Sequence, residues 1–168
     1  MKVFKTFFQV KQIPKQIRLF LEEIYKRKEE IEIFTTKPTN EYSNEYGMIF
    51  ESIDHLTSLE EYKTHNICEA FLLYIQAFGG IIPIIAINNI NDVNDIESKT
   101  TIQLICALCK DLAMRSNSPM TLEQFLTVFC HVFVNRNLKP NEFPILLNTL
   151  LSYTKSIKSF TETLKSIN

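Results

Sequence analysis

Glycine is scarce in this sequence, with three among 168 residues. Nucleotide-binding folds of the Rossmann and P-loop types place several glycines in their phosphate-binding loops, because the backbone must approach the phosphate closely. Three glycines, two of which are the adjacent Gly79 and Gly80, are too few to build such a loop. The sequence therefore argues against both classes.

An excess of charge of either sign is also absent. Eighteen Lys and Arg residues face nineteen Asp and Glu residues, which gives a net charge of -1 and a pI near 6.3. Proteins that bind nucleic acid carry a basic face that neutralises phosphates. The composition gives no indication of a nucleic-acid partner, and 45% hydrophobic with 22% charged residues is typical of a soluble globular domain.

Targeting and membrane signals are lacking as well. The first five residues do not begin a long apolar core, so no secretory signal is visible. The stretch from Ala70 to Ile87 has Gln76 as its one clearly polar side chain, but Gly79-Gly80 and Pro83 interrupt it. A helix that crosses a bilayer needs about 20 continuous apolar residues. We expect a buried helix followed by a loop, and no transmembrane segment.

Four cysteines occur, and they form no recognisable metal or redox site. Cys106 and Cys109 make one C-x-x-C pair, while Cys68 and Cys130 stand apart, the latter beside His131. A structural zinc site needs four ligands at defined spacing, and a second C-x-x-C is missing. The cysteines are predicted to be reduced thiols in the core, with no metal and no cofactor.

Apolar residues recur at helical spacing along most of the chain, and the alternation typical of strands is nearly absent. This pattern predicts a single all-α domain over residues 13–168, preceded by an N-terminal extension over residues 1–12. The first helix, after Pro14, carries the stripe Ile17, Phe20, Leu21 and Ile24.

The remaining helices are predicted from the same periodicity. The second runs from Asn44 to Leu56, with an apolar side of Met48, Ile49, Ile53 and Leu56. The third and central helix begins with Thr64 as its N-cap and stops at Gly79. A fourth follows through Ala113, a fifth opens with a Thr121–Gln124 capping box, and the last continues from Asn141 through Leu164.

Two segments carry a resemblance to a known family. The stretch 65–83, which reads His-Asn-Ile-Cys-Glu-Ala-Phe-Leu-Leu-Tyr-Ile-Gln-Ala-Phe-Gly-Gly-Ile-Ile-Pro, resembles the central helix and loop of a Rho GTPase-activating (RhoGAP) domain. Ser118-Pro119-Met120-Thr121 is similar to the Asn-Lys-Met-Thr turn of that family. The order of landmarks fits from about Ile13 to Phe160. The resemblance implies a single RhoGAP-like helical bundle.

The positions that contact the nucleotide or the GTPase in active members are altered here. Thr35, after the aromatic Phe34, stands where the family has its catalytic arginine finger. Leu72 replaces a lysine and Gln76 a second arginine. The resemblance implies a GTPase-binding surface made by Phe34, Thr35, Thr36, Lys37, Leu72, Gln76, Ser118 and Gln124.

The missing arginine changes the expected activity. An arginine finger neutralises charge on the transferred phosphoryl group and contributes about 10³- to 10⁵-fold in rate. The hydroxyl of Thr35 carries no charge, and the ammonium of Lys37 lacks the planar fork of a guanidinium. The resemblance thus implies a module that binds a GTPase without accelerating hydrolysis, and no enzyme.

The arginine-free loop, Ile13-Pro14-Lys15-Gln16-Ile17 and Glu69-Ala70-Phe71-Leu72-Leu73 narrow the resemblance to one subgroup. They resemble the RhoGAP-like domain of inositol polyphosphate 5-phosphatases of the Lowe-syndrome type. That resemblance implies two kinds of partner, Rho-family small GTPases and endocytic adaptor peptides with a phenylalanine-histidine motif. It also implies a membrane-traffic context, in the cytoplasm and at endosomes or the plasma membrane through those partners.

Two alternatives remain open from the sequence. A GTPase activator could use a displaced arginine, such as Arg18 or Arg115, in place of the missing finger. An unrelated all-α adaptor would show the same apolar stripes as core residues only.

Overall fold

The computed structural model describes residues 12–35, 45–77, 80–83, 86–134 and 138–167. In these ranges the chain forms α-helices, a 3-10 helix at Ile90–Asp92 and no strand, which confirms the all-α prediction. The predicted extension over residues 1–12 and the predicted stop at Gly79 fall almost entirely outside the described residues. The α-helices are α1 (Lys15–Lys26), α2 (Glu45–Asp54), α3 (Thr64–Ala77), α4 (Ile96–Ala113), α5 (Leu122–Phe133), α6 (Glu142–Ser156) and α7 (Phe160–Lys165).

Helix α3 was predicted to be central, and the structure buries only part of its surface, because Leu73 is 42% exposed. It packs against α1, α2 and α5, and its residues Ile67, Phe71 and Ile75 are fully buried. The Phe71 ring lies 5.3 Å from the ring of Phe20 on α1, centroid to centroid.

Helix α4 forms the second centre of packing. Six successive fully buried positions (104–109) occupy its middle, and it contacts α1, α5, α6 and α7. Its first turn is capped by Asp95, whose carboxylate accepts a hydrogen bond from the Ser98 amide at 3.0 Å. Helix α5 begins with the predicted capping box, in which Thr121 and Gln124 bond to each other's backbone amides.

Helix α2 differs from its prediction in extent and in its buried side. It is buried through Ile49 and Ile53, whereas Met48 and Leu56 are exposed. Leu56 adopts φ 55°, and the Thr57 amide bonds to the Ser52 carbonyl, so the helix ends in a Schellman motif. The left-handed residue turns the chain away, which is why Leu56 leaves the apolar stripe.

The last predicted helix is two helices. Helix α6 ends at Ser156, and α7 begins at Phe160 after Ser159, whose hydroxyl caps it by accepting from the Glu162 amide. Lys110 on α4 donates to the carbonyl of Ile157 at 3.0 Å. The apolar spacing continues through this break, because α7 folds back on α4 and buries Phe160 there.

The long apolar stretch does not form a membrane helix in the described part of the chain. Helix α3 ends at Ala77, and no described helix is long and apolar enough to cross a bilayer.

Candidate functional site

The loop over residues 28–35, hereafter the finger-position loop, follows α1 and contains Thr35, which the family resemblance aligns with the arginine finger. Thr35 is partly exposed, but both its polar groups bond within the loop. Its amide donates to the Glu32 carbonyl at 3.3 Å and its hydroxyl donates to the Ile31 carbonyl at 2.8 Å. The hydroxyl therefore stabilises the turn that it belongs to.

Phe34 attaches this loop to the core. Its backbone takes the left-handed φ of 59°, which non-glycine residues rarely adopt, and its ring packs edge-on against Phe129 of α5 at 5.1 Å. Burial raises the pKa of the nearby Cys68 thiol to about 12, and the backbone of Phe34 partly offsets this rise. The aromatic residue of the predicted binding surface thus faces inward and fixes the loop.

Arg27, at the end of α1, bonds the loop that precedes α3 (residues 59–62) to the start of the finger-position loop. Its side chain is 14% exposed and forms an ion pair with Glu23, one turn earlier. Each of its five N–H groups has an acceptor in the structure, which satisfies the donor capacity of a guanidinium. The acceptors are Glu23 Oε1 at 3.0 Å, Tyr62 O at 2.7 Å, Thr64 Oγ1 at 2.9 Å, Leu59 O at 3.2 Å and Glu60 O at 2.9 Å.

Thr64 was predicted as the N-cap of α3, and that prediction is wrong. It is the first helical residue, and its buried hydroxyl accepts from Arg27 and donates to the carboxylate of Glu30. The physical reason is tertiary, because a strong donor and a strong acceptor from the α1 side meet at this hydroxyl. Thr64 therefore joins α3 to the finger-position loop.

Arg115, just after α4, holds the same loop from the other side. Its Nη1 donates to the carbonyls of Lys28 at 2.6 Å and Glu30 at 2.8 Å, and its Nε donates to the Leu112 carbonyl at 2.8 Å. Nη2 is buried and has no acceptor among the described residues. Burial also lowers the pKa of this guanidinium. Arg27 and Arg115 together with the groups they bond are called the arginine network below.

An open groove of about 670 Å³ lies beside the arginine network. The exposed residues Glu29, Glu30 and Glu32 line it, and Ile31, 57% exposed, lies among them. Its remaining walls come from the start of α3 and the residue before it. The lining residues there are Lys63, Thr64 and His65.

The other predicted contact residues lie on three neighbouring elements. On α3, Leu72 is half-buried against the core and Gln76 is exposed, four and eight residues beyond Cys68 and hence on about the same side. Ser118 donates to the Met120 carbonyl at 2.7 Å, and Gln124 is used in the α5 capping box. Thr36 and Lys37 lie outside the described residues.

The structure brings some of these predicted residues together. Phe34 contacts α5, and Arg115 bonds the finger-position loop while its own carbonyl accepts from the Ser118 amide at 3.1 Å. No described contact joins Leu72 or Gln76 to Thr35. Sequence reasoning missed the roles of Arg27 and Glu30, because neither belongs to a periodic or spaced motif.

Metal and thiol chemistry find little support in the described ranges. All four cysteines are buried free thiols, as predicted, and burial raises the pKa of Cys106 and Cys130 to about 12. A thiol held neutral is a poor ligand and a poor nucleophile. Among the described residues, no group of three or more His, Cys, Asp or Glu side chains is arranged to hold a metal ion.

Fold and site together define an all-α domain with a polar network that fixes one loop. No protein-family model, no curated protein and no solved structure matches the chain.

Proposed function

We propose that this chain is a non-catalytic interaction module of the RhoGAP-like type, which binds Rho-family small GTPases. The observation that carries the proposal is the state of the three described arginines. Arg27 and Arg115 have their guanidinium groups bonded to their own chain, and Arg18 pairs with Glu22 on the surface of α1 at 2.8 Å. The sequence resemblance supplies the class of partner.

The finger-position loop is unsuited to stabilise a phosphoryl transition state. Catalysis there needs a preorganised positive charge near the transferred group. The described loop carries the neutral Thr35 and three acidic residues, Glu29, Glu30 and Glu32, of which Glu30 accepts a hydrogen bond from Thr64. Negative groups beside developing negative charge raise the barrier, so the loop favours recognition over hydrolysis.

The displaced-arginine alternative loses support because Arg115 is already bonded within the chain. For Arg115 to reach a bound nucleotide, its bonds to Lys28, Glu30 and Leu112 would have to break. Bonds from a charged donor each contribute about 1.5–3 kcal/mol. Freeing Arg18 would cost less free energy, since its ion pair with Glu22 is exposed. A GTPase activator that uses Arg18 therefore remains the second candidate function.

A protein without an arginine finger can still bind a GTPase. Binding energy comes mainly from a few anchors in a desolvated patch, whereas the finger acts mainly in the transition state. Ile31 offers an exposed apolar contact in a loop that the arginine network holds in place. The resemblance adds adaptor peptides with a phenylalanine-histidine motif as a second partner class, and a cytoplasmic protein recruited to endosomal or plasma membranes by its partners.

The proposal is tested by measuring hydrolysis and binding separately. Single-turnover GTP hydrolysis by Rho-family GTPases is expected to stay at its intrinsic rate when the purified protein is added. Binding is expected to GTPase loaded with a GTP analogue. Ile31→Asp should weaken it about tenfold, equivalent to about 1.4 kcal/mol. Ile145→Asp, an equivalent change at a residue that is 39% exposed on α6 outside the groove, is the matched control.

Each outcome bears on one part of the proposal. Acceleration of a hundredfold or more would show that the module is catalytic. If neither a panel of loaded GTPases nor a phenylalanine-histidine peptide binds, the chain is an all-α adaptor of another kind. Binding that Ile31→Asp leaves unchanged would remove the groove from the interface.

A further inference from the structure

Arg115 connects two segments that are far apart in the sequence. Its guanidinium bonds the carbonyls of Lys28 and Glu30, which lie 87 and 85 residues away along the chain. Its backbone carbonyl accepts from the amide of Ser118, so the same residue begins the turn before α5. One side chain thus ties the finger-position loop to the turn that carries Ser118.

Both connected segments belong to the predicted partner-binding surface. The loop carries Phe34 and Thr35, and the turn carries Ser118 and leads into the capping box of Gln124. No helix or sheet ladder runs through residues 28–35. Buried Ile33 and the ring of Phe34 anchor the end of the loop in the core, whereas its first part, residues 28–31, depends on a few hydrogen bonds. Arg115 makes two of these bonds and Thr64, through Glu30, makes a third.

We propose that Arg115 is a positioning residue that holds the finger-position loop in its partner-binding conformation. A loop that is already ordered loses less conformational entropy on binding, and this lowers the free-energy cost of association. The identity of the partner rests on the proposed function, whereas the ordering of the loop does not. The guanidinium in this protein acts on its own backbone.

The geometry explains why arginine is required at this position. Three carbonyls, those of Lys28, Glu30 and Leu112, surround one planar group that donates from Nε and Nη1. A lysine ammonium is a compact point charge on a flexible stem and cannot present donors in the same fixed fork. Arg115→Lys should therefore retain only part of the effect, and Arg115→Met should lose it.

Hydrogen exchange provides a test that needs no partner. The amides of Glu30 and Thr35 donate to the carbonyls of Arg27 at 2.9 Å and Glu32 at 3.3 Å, so their exchange reports opening of the loop. Arg115→Met is expected to accelerate the exchange of both amides. The factor should be at least about tenfold larger than for the amides of residues 104–108 in α4, which report global unfolding. Arg115→Lys should give an intermediate rate, and Arg18→Met no change.

The experiment separates a local role from a general one. If the loop and the α4 amides accelerate by the same factor in Arg115→Met, or if the loop amides do not respond, the proposal is wrong. Should Arg115→Met fail to fold, the ratio of loop to α4 exchange in Arg115→Lys decides the question alone.

Binding affinity gives the second readout. Arg115→Met is expected to weaken binding to a GTPase loaded with a GTP analogue about tenfold, while the stability of α4 stays unchanged. An unchanged affinity despite a loosened loop overturns the proposed role in binding. If the unaltered protein binds no GTPase, the proposed function fails, while the exchange data still decide whether Arg115 orders the loop.

Discussion

Two regions of this molecule are held together by different interactions. Around α4, α5 and α6 the interior is apolar, and its few polar groups bond locally, as Thr154 does with the Leu150 carbonyl at 2.6 Å. At the junction of α1, the finger-position loop and α3, the chain is held by the arginine network. Apolar burial is non-directional and shared among many contacts, whereas each bond in the network depends on one donor.

This difference indicates where single substitutions act locally. Removing a core side chain lowers the stability of the whole domain, because every core helix shares the loss. Removing a network donor releases one loop whose backbone carbonyls can be solvated in its place. The proposed binding surface therefore lies in the region that can be altered without unfolding the protein.

The largest effect is expected from the core. Leu108 is fully buried in the middle of α4, and Leu108→Ala should lower the free energy of unfolding by about 3 kcal/mol through lost burial and a residual cavity. Chemical denaturation measures the change. Exchange at the loop and the core should rise together, and a rise limited to the loop would contradict the comparison.

A smaller effect is expected from Arg27. Arg27→Met removes five hydrogen bonds and leaves Glu23, whose side chain is 8% exposed, without its close ion-pair partner, at a cost of about 2 kcal/mol. Arg18→Met on the same helix breaks a pair that is 37% and 43% exposed and should cost less than about 0.5 kcal/mol. Equal losses in urea denaturation would mean that the Arg27 bonds add nothing to stability.

The smallest effect concerns pH. The Asn66 amide, which donates at 2.5 Å, lowers the pKa of Glu45 below its ordinary value of 4.5, and the Lys63 backbone amide adds to this. A lowered carboxyl pKa contributes stability above pH 4.5 that is lost as the pH falls through the folded value. Glu45→Gln should thus cost about 0.5 kcal/mol at pH 7. The difference between the two proteins should shrink near pH 3, and a constant difference would exclude this origin.

Much of the fold could be predicted from sequence because helix signals are local. The stripe of Ile17, Phe20 and Ile24 and the capping box at Thr121 were confirmed, since both depend on neighbours within one turn. Leu56 and the break after Ser156 were not predicted, because a left-handed cap and a second N-cap interrupted an apolar spacing that continued.

Less of the candidate site could be predicted. The sequence located the loop around Phe34 and Thr35 through a family resemblance, and it listed Arg115 as a displaced catalytic group. In the structure that guanidinium bonds backbone carbonyls. No spacing rule indicates such a bond, because its acceptors are carbonyls that every residue possesses.

By itself, the sequence determined that this chain is helical, where most helices lie, and that no arginine stands at position 35. Those properties follow from side-chain spacing over a few residues. Only the tertiary structure decided what the remaining arginines do. Their acceptors lie up to 87 residues away, and packing of α1, α3 and α4 brings them within hydrogen-bonding distance.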